Sequence, residues 1–107
     1  MSLNAMKITD LGTPIAEREL EGFTDGQPCT VRVKIGKPFP DPAGKSWYCP
    51  YSIHTPKDER MHCAAGEDSL QALRLALFIV GTELDTFYAD LNLTWLGQND
   101  LGFPGQP

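Results

Sequence analysis

The chain is short of positive charge and has no long apolar run. Of its 107 residues, 9 are Lys or Arg and 14 are Asp or Glu, which gives a formal net charge of −5. Because affinity for nucleic acids and anionic membrane surfaces depends on positive charge, neither is an expected partner. The longest apolar run, residues 75–80, is far shorter than the roughly 20 residues that a helix needs to cross a bilayer.

Motifs that carry known chemistry are absent as well. The sequence has no glycine-rich phosphate-binding motif and no G-x-S-x-G motif, and its cysteines, Cys29, Cys49 and Cys63, include no C-x-x-C pair. We interpret the cysteines as small buried apolar residues. His62 adjoins Cys63, but neighbours on a predicted strand point to opposite faces and cannot act as a nucleophile–base pair. No catalytic residue, metal site or cofactor is therefore predicted.

The cysteine count and the N-terminal sequence favour the cytoplasm. An odd number of cysteines, in a chain whose first residues lack the pattern of a secretory signal, indicates reduced thiols. The length suits one domain, so residues 1–107 are predicted to form a single domain. Residues 1–5 are expected to be disordered or vector-derived, and residues 91–107 to form a C-terminal tail.

Alternation of polar and apolar residues predicts four antiparallel strands. They cover residues 15–22, 29–35, 47–55 and 60–65. Between the first two strands lies Asp25-Gly26, a dipeptide typical of two-residue hairpin turns. The first two strands should therefore pair directly.

That turn fixes a register for the first hairpin. It places Glu19 opposite Arg32 and Leu20 opposite Val31, so that charges meet opposite charges and apolar residues meet each other. Arg18 then falls on the apolar face. We interpret it as an inward charge that protects an edge strand from aggregation, with a functional arginine as the alternative.

The second pair of strands is joined to the first by a stiff loop. Residues 36–46 contain three prolines and two glycines, which excludes a regular strand and presents Phe39 on a rigid connection. In the predicted second hairpin, Ile53 lies opposite Cys63. This register sets His54 opposite His62 on the outer face of the sheet.

One long helix is predicted over residues 69–88. Asp68 is a good N-cap, and Gln71 three residues later completes a variant of the capping box. The wide apolar stripe expected to pack on the sheet consists of Leu70, Leu73, Ala76, Leu77, Val80, Leu84 and Phe87.

The helix also carries a second apolar patch that needs a cover. Ala72, Leu75 and Ile79 form this patch on the far side of the predicted stripe. Two covers are possible: the apolar C-terminal tail, or a second copy of the chain in a two-fold dimer that also uses Phe78.

Four short segments together resemble a bacterial family of small uncharacterised proteins. They are I-G-K-P at residues 35–38, W-x-C-P at residues 47–50, D-x-x-Q-A-L at residues 68–73 and L-G-F-P at residues 101–104. The resemblance extends over residues 15–104. It implies a bacterial source but no activity, substrate or site residue, because the family is one of unknown function.

These observations predict an α+β fold: a four-stranded antiparallel meander sheet with one long helix packed on one face and a C-terminal wrapping segment. The leading functional hypothesis is a cytoplasmic protein-interaction module without catalysis, homodimeric and binding another protein. The alternatives are a small-ligand binder or minor enzyme that uses the Pro-rich loop and the tail, and an immunity or antitoxin-like protein. The candidate surface residues are Phe39, Trp47, Tyr48, His54, His62, Phe78 and Trp95.

Overall fold

Six strands and one long helix make up the computed structural model, which describes residues 5–105, with residues 5–7 as backbone only. In chain order they are β1 (Ala5–Lys7), β2 (Pro14–Thr24), β3 (Gln27–Gly36), β4 (Phe39–Pro40), β5 (Trp47–His54), β6 (Glu59–Gly66) and α1 (Ser69–Phe87). A 3₁₀ turn at Ala89–Leu91 follows. The first four residues of the predicted disordered or vector-derived segment lie outside the described residues.

The strands form one antiparallel sheet in the order β1-β6-β5-β3-β2, with the two-residue β4 paired beside β5. The α+β class is confirmed, but the prediction of four strands is wrong. β1 has only three residues and gives no alternation signal. β4 was not predicted because it lies in the proline-rich loop and is only two residues long. Phe39 pairs with Tyr48, and Pro40 pairs with Trp47.

The register of the first hairpin is confirmed. Glu19 lies opposite Arg32 and Leu20 lies opposite Val31. Asp25 and Gly26 both have positive φ, 52° and 75°, as a two-residue hairpin turn of type I′ requires. β2 forms an edge of the sheet, as the inward position of Arg18 led us to expect.

The register of the second hairpin is wrong by three residues. Ile53 lies opposite Arg60, and Tyr51 lies opposite His62. The loop begins earlier than predicted because the backbone N–H of Thr55 donates to the carbonyl of Asp58, at 2.9 Å, and takes Thr55 out of the strand. An odd shift turns every side chain of β6 to the other face of the sheet.

The core lies between α1 and the sheet face that packs on it, which we call the inner face. The fully buried large side chains there include Leu20, Val31, Val33, Tyr51, Ile53, Ile79, Val80 and Leu84. Each buried aliphatic side chain of this size contributes about 1.5–3 kcal/mol, so this layer dominates the stability.

The rotation of α1 differs from the prediction, although its start does not. The carboxylate of Asp68 accepts from the backbone N–H of Gln71 at 2.8 Å, and Gln71 Oε1 accepts from the N–H of Glu67 at 2.6 Å. The buried side of α1 consists of Ala72, Ala76, Ile79, Val80, Glu83 and Leu84. Leu70 and Phe87, both assigned to the packed stripe, are 71% and 56% exposed.

Small residues are one cause of this rotation. Gly66 at the end of β6 lies so close to α1 that a Cβ there would stand 2.5 Å from the backbone nitrogen of Ala72. The helix can approach the sheet this closely only with alanines facing it. The supposed second patch is therefore part of the core at Ala72 and Ile79, and Leu75 packs half-buried against its side.

Residues 8–13 cross the other side of the sheet, which we call the outer face. β1 and β2 lie at opposite edges, and the segment between them is tied at both ends. Ile8 donates to the carbonyl of Met61 at 3.1 Å, and Lys37 donates to that of Thr13 at 2.7 Å. Leu11 lies over Gly36 between these points.

We expect Gly36→Ala to destabilise the protein through this crossing. A Cβ at Gly36 would lie 2.3 Å from the carbonyl oxygen of Leu11 and 2.7 Å from Cγ of Pro50. Overpacking of this kind costs about 1–3 kcal/mol of unfolding free energy. Gly105→Ala is the matched control, because its Cβ would meet no atom within 4 Å. Equal urea-unfolding midpoints for the two variants would contradict the described packing.

Candidate functional site

Phe39, Trp47 and Tyr48 lie close together on the structure. The rings of Phe39 and Tyr48 are 5.6 Å apart between centroids and tilted by 52°. Phe39 and Trp47 line an open groove of about 550 Å³ beside Leu11 and Lys37, which we call the Phe39 groove. Most of its lining residues are apolar, and Asp10, Thr13 and Lys37 are its polar members.

The two histidines do not share a site, so their predicted pairing on the outer face is wrong. His54 is exposed, with Nδ1 3.7 Å from a carboxylate oxygen of Glu59. His62 lies on the inner face, where its Nδ1 is 3.9 Å from Glu83 Oε2. The odd register shift of β6 separates them. Within the described part of the chain, no group of three potential ligands is placed to hold a metal ion.

Phe78 lies beside the C-terminal tail, and Trp95 is part of that tail. Phe78 lines a cleft of about 240 Å³ with Gly81 and Phe103. Trp95 lies beneath Arg18, whose guanidinium carbon is 3.7 Å from the ring centroid. Trp95 is not among the described residues that line the Phe39 groove, so within residues 5–105 the loop and the tail do not form one pocket there.

A buried carboxylate that sequence reasoning did not select links α1 to the sheet. Glu83 is 4% exposed, accepts a hydrogen bond from the hydroxyl of Tyr51 at 2.8 Å and lies 3.5 Å from Nε of Arg60. The guanidinium of Arg60 also lies over the ring of Phe87, 4.6 Å from its centroid. The sequence signal for Glu83 was its spacing. It follows Ile79 by four residues and so lies on the same, buried face of α1.

The buried phenols and thiol are held in their neutral forms. Burial, and next the charge of Glu83, raises the pKa of Tyr51 well above its ordinary value. Burial, and next Asp58, raises the pKa of Tyr88 to about 12. Burial also raises the pKa of the Cys49 thiol to about 12, which leaves almost no thiolate at neutral pH. These groups are therefore poor nucleophiles and bases.

A second groove lies along the edge strand β2, between the sheet, α1 and the tail. This groove, the β2 groove, encloses about 160 Å³. It is lined by Ala16, Arg18, Val33, Ile35, Leu77 and Phe103. Nη1 of Arg18 donates to the carbonyls of Leu101 and Gly102 at 2.9 and 3.2 Å, which fixes the tail as one wall.

The backbone of β2 is paired on one side only along much of its length. Glu21 exchanges two hydrogen bonds with Thr94 of the tail, at 2.9 and 2.8 Å, so its N–H and C=O point away from β3. By the alternation of an antiparallel ladder, the same groups of Glu17 and Glu19 also point away from β3. Among residues 5–105, no backbone group hydrogen-bonds to them on that side. Residues 14–17 and Glu19 are all exposed.

Residues 16–105 match the protein family DUF6968, which is described as a domain of unknown function. The chain therefore belongs to this family. No curated protein matches the chain. No solved structure matches it either. Within residues 5–105, α1 is not apolar enough over its length to cross a membrane.

We expect Tyr51→Phe and Tyr88→Phe to differ sharply. Removing the Tyr51 hydroxyl takes a hydrogen bond from the buried Glu83 and should cost about 1.5–3 kcal/mol of unfolding free energy. The Tyr88 hydroxyl is buried with no hydrogen-bond partner among residues 5–105, so its removal should be neutral or slightly stabilising. Urea unfolding at neutral pH makes the comparison, and an equal loss in both variants would refute the assignment.

Stability should fall in alkaline solution partly through Tyr88. Its pKa is about 12 in the folded protein against an ordinary value of 10.0, so the unfolded chain loses its proton first as pH rises. The contribution is complete below pH 10.0 and is lost as pH rises towards 12. We expect the unfolding free energy of Tyr88→Phe to decline less steeply over that range, and parallel pH profiles for the two proteins would contradict this.

Proposed function

We propose that this family member is a protein-interaction module that binds an extended peptide segment along the open edge of β2. The observation that carries the proposal is the juxtaposition of two features. One is the run of outward backbone N–H and C=O groups at Glu17 and Glu19. The other is the β2 groove, which lies on the inner side of the same strand.

Strand addition uses an open edge and pockets for alternate side chains, and β2 supports the proposal on both points. An added strand would gain main-chain hydrogen bonds from the open edge, and every second side chain would point to the inner face. There it would meet Ala16, Leu77 and Phe103 of the β2 groove. The backbone thus supplies affinity without regard to sequence, and the groove supplies selection for apolar side chains.

The Phe39 groove supports its alternative, a small-ligand site, less well. A small-molecule site needs several polar groups that converge on the ligand. Asp10 at the rim already accepts a hydrogen bond from the N–H of Gly12, at 2.9 Å. The other lining residues are Thr13, Lys37 and six that are apolar or glycine. Binding of a macromolecular segment to the β2 edge is therefore the function that we favour.

The proposal includes a cytoplasmic location and a bacterial source. Support for the first comes from the odd number of cysteines and from the buried, protonated thiol of Cys49. Support for the second comes from the motifs of residues 47–50 and 101–104. An immunity or antitoxin-like role would be one use of a peptide-binding edge.

The test uses a neutral peptide of alternating serine and valine, seven residues long, titrated into the full chain. We compare Glu17→Pro with Glu17→Ala. Both remove the same carboxylate, but only proline removes the outward N–H. Proline is tolerated at this kind of position in an edge strand. We expect proline to weaken binding at least about tenfold and alanine less than about threefold, since only the N–H contributes a main-chain hydrogen bond.

Two measurements guard the interpretation. Thermal unfolding must show that Glu17→Pro remains folded, and a peptide of the same composition with its serines and valines in separate blocks must bind less well. The proposal would be contradicted if Glu17→Pro and Glu17→Ala bound the alternating peptide with equal affinity. It would also be contradicted if no alternating peptide bound the unchanged protein.

A further inference from the structure

Three glutamates stand on the outer face of β2 at every second position. Glu17, Glu19 and Glu21 are all exposed, and the side chains of Glu17 and Glu19 keep 52% and 59% of their surface in water. A strand added to the open edge would place its own outer-face side chains directly beside Glu17 and Glu19. Cross-strand neighbours of this kind lie about 4.5–5.5 Å apart at Cβ.

The positive charges that balance these glutamates lie one strand further from the open edge. Arg32 on β3 contacts Glu17, with Nε 3.3 Å from Oε2, and also bonds to Glu19. Lys34, which is also on β3, lies opposite Glu17. Adjacent strands are about 4.8 Å apart, so an added strand would have the carboxylates as direct neighbours and the cations at about twice that distance.

We infer that the segment bound at β2 alternates Lys or Arg with apolar residues. This inference rests on the proposed function and names the partner's chemistry. Basic side chains on one face of the segment would pair with Glu17 and Glu19. Apolar side chains on the other face would enter the β2 groove beside Ala16 and Leu77. The net charge of −5 draws such a segment towards the protein from a distance.

The same charges argue against a second copy of the chain at this edge. Two antiparallel β2 strands related by a two-fold axis would have to pair outward-pointing residues with each other. Each central register brings carboxylates together: Glu17 against Glu17, Glu17 against Glu19, or Glu19 against Glu19. Like charges directly opposite each other are destabilising. The β2 edge therefore selects a basic strand over its own kind.

The experiment compares three seven-residue peptides that share valines at alternate positions and carry lysine, serine or glutamate between them. Each is titrated into the full chain at low and at high salt. We expect the lysine peptide to bind about tenfold more tightly than the serine peptide at low salt, and the glutamate peptide most weakly. High salt should narrow the gap, because exposed ion pairs are screened.

Two double variants separate local pairing from general attraction. Glu17→Gln with Glu19→Gln should bring the lysine and serine peptides to nearly equal affinity. Glu59→Gln with Glu67→Gln removes the same charge at exposed positions at the two ends of β6, which two strands separate from β2, and should preserve the preference. If both double variants lost the preference for the lysine peptide equally, the preference would depend on net charge alone. That result would overturn the inference.

The remaining outcomes distinguish the two proposals. If the lysine and serine peptides bind the unchanged protein equally, the charge preference is wrong and the proposed peptide site stands. If neither binds, both proposals fail. If the protein instead self-associates, and Glu17→Pro abolishes the self-association measured by light scattering, a second copy occupies the edge and the basic segment is excluded.

Discussion

The open side of the molecule depends on the contacts of one residue, Arg18, which points inward from the edge strand β2. The guanidinium of Arg18 stacks on Trp95 and donates to the carbonyls of Leu101 and Gly102. Gly102, with φ of 80°, allows this approach, because a Cβ there would lie 2.7 Å from both the guanidinium and the indole ring. Through these contacts the tail is held where Phe103 can form a wall of the β2 groove.

A second polar contact fixes the rotation of α1. The helix is apolar on more than one side, so burial alone leaves several rotations of similar energy. Glu83 can be buried only where Tyr51 donates to it and Arg60 offsets its charge, since an unpaired buried carboxylate is very costly. That condition selects one rotation. It also requires Arg60 and His62 on the inner face, so the register of β6 and the rotation of α1 support each other.

Features that depend on neighbouring residues could be predicted from the sequence, whereas features that depend on contacts between distant residues could not. The first hairpin was predictable because Asp25-Gly26 and two facing pairs of charged and apolar residues all specify one register. The second hairpin was not, because the bond between Thr55 and Asp58 decides where its loop starts. The contact of Arg18 with Leu101 joins residues 83 positions apart, and no local pattern announces it. The candidate site depends on that contact, so only the inward position of Arg18 was foreseeable.

The open half of β2 is then the feature that most needs a physical reason. Natural sheets blunt their edges, because unpaired backbone groups recruit other strands. Here the tail closes the edge at Glu21 by pairing with Thr94, yet the strand continues with outward groups at Glu17 and Glu19. Their carboxylates deter acidic strands and copies of β2, but they offer no barrier to a basic strand. The proposed binding of a basic strand therefore rests on an edge that the tail closes at Glu21 and that carboxylates leave open to positive charge at Glu17 and Glu19.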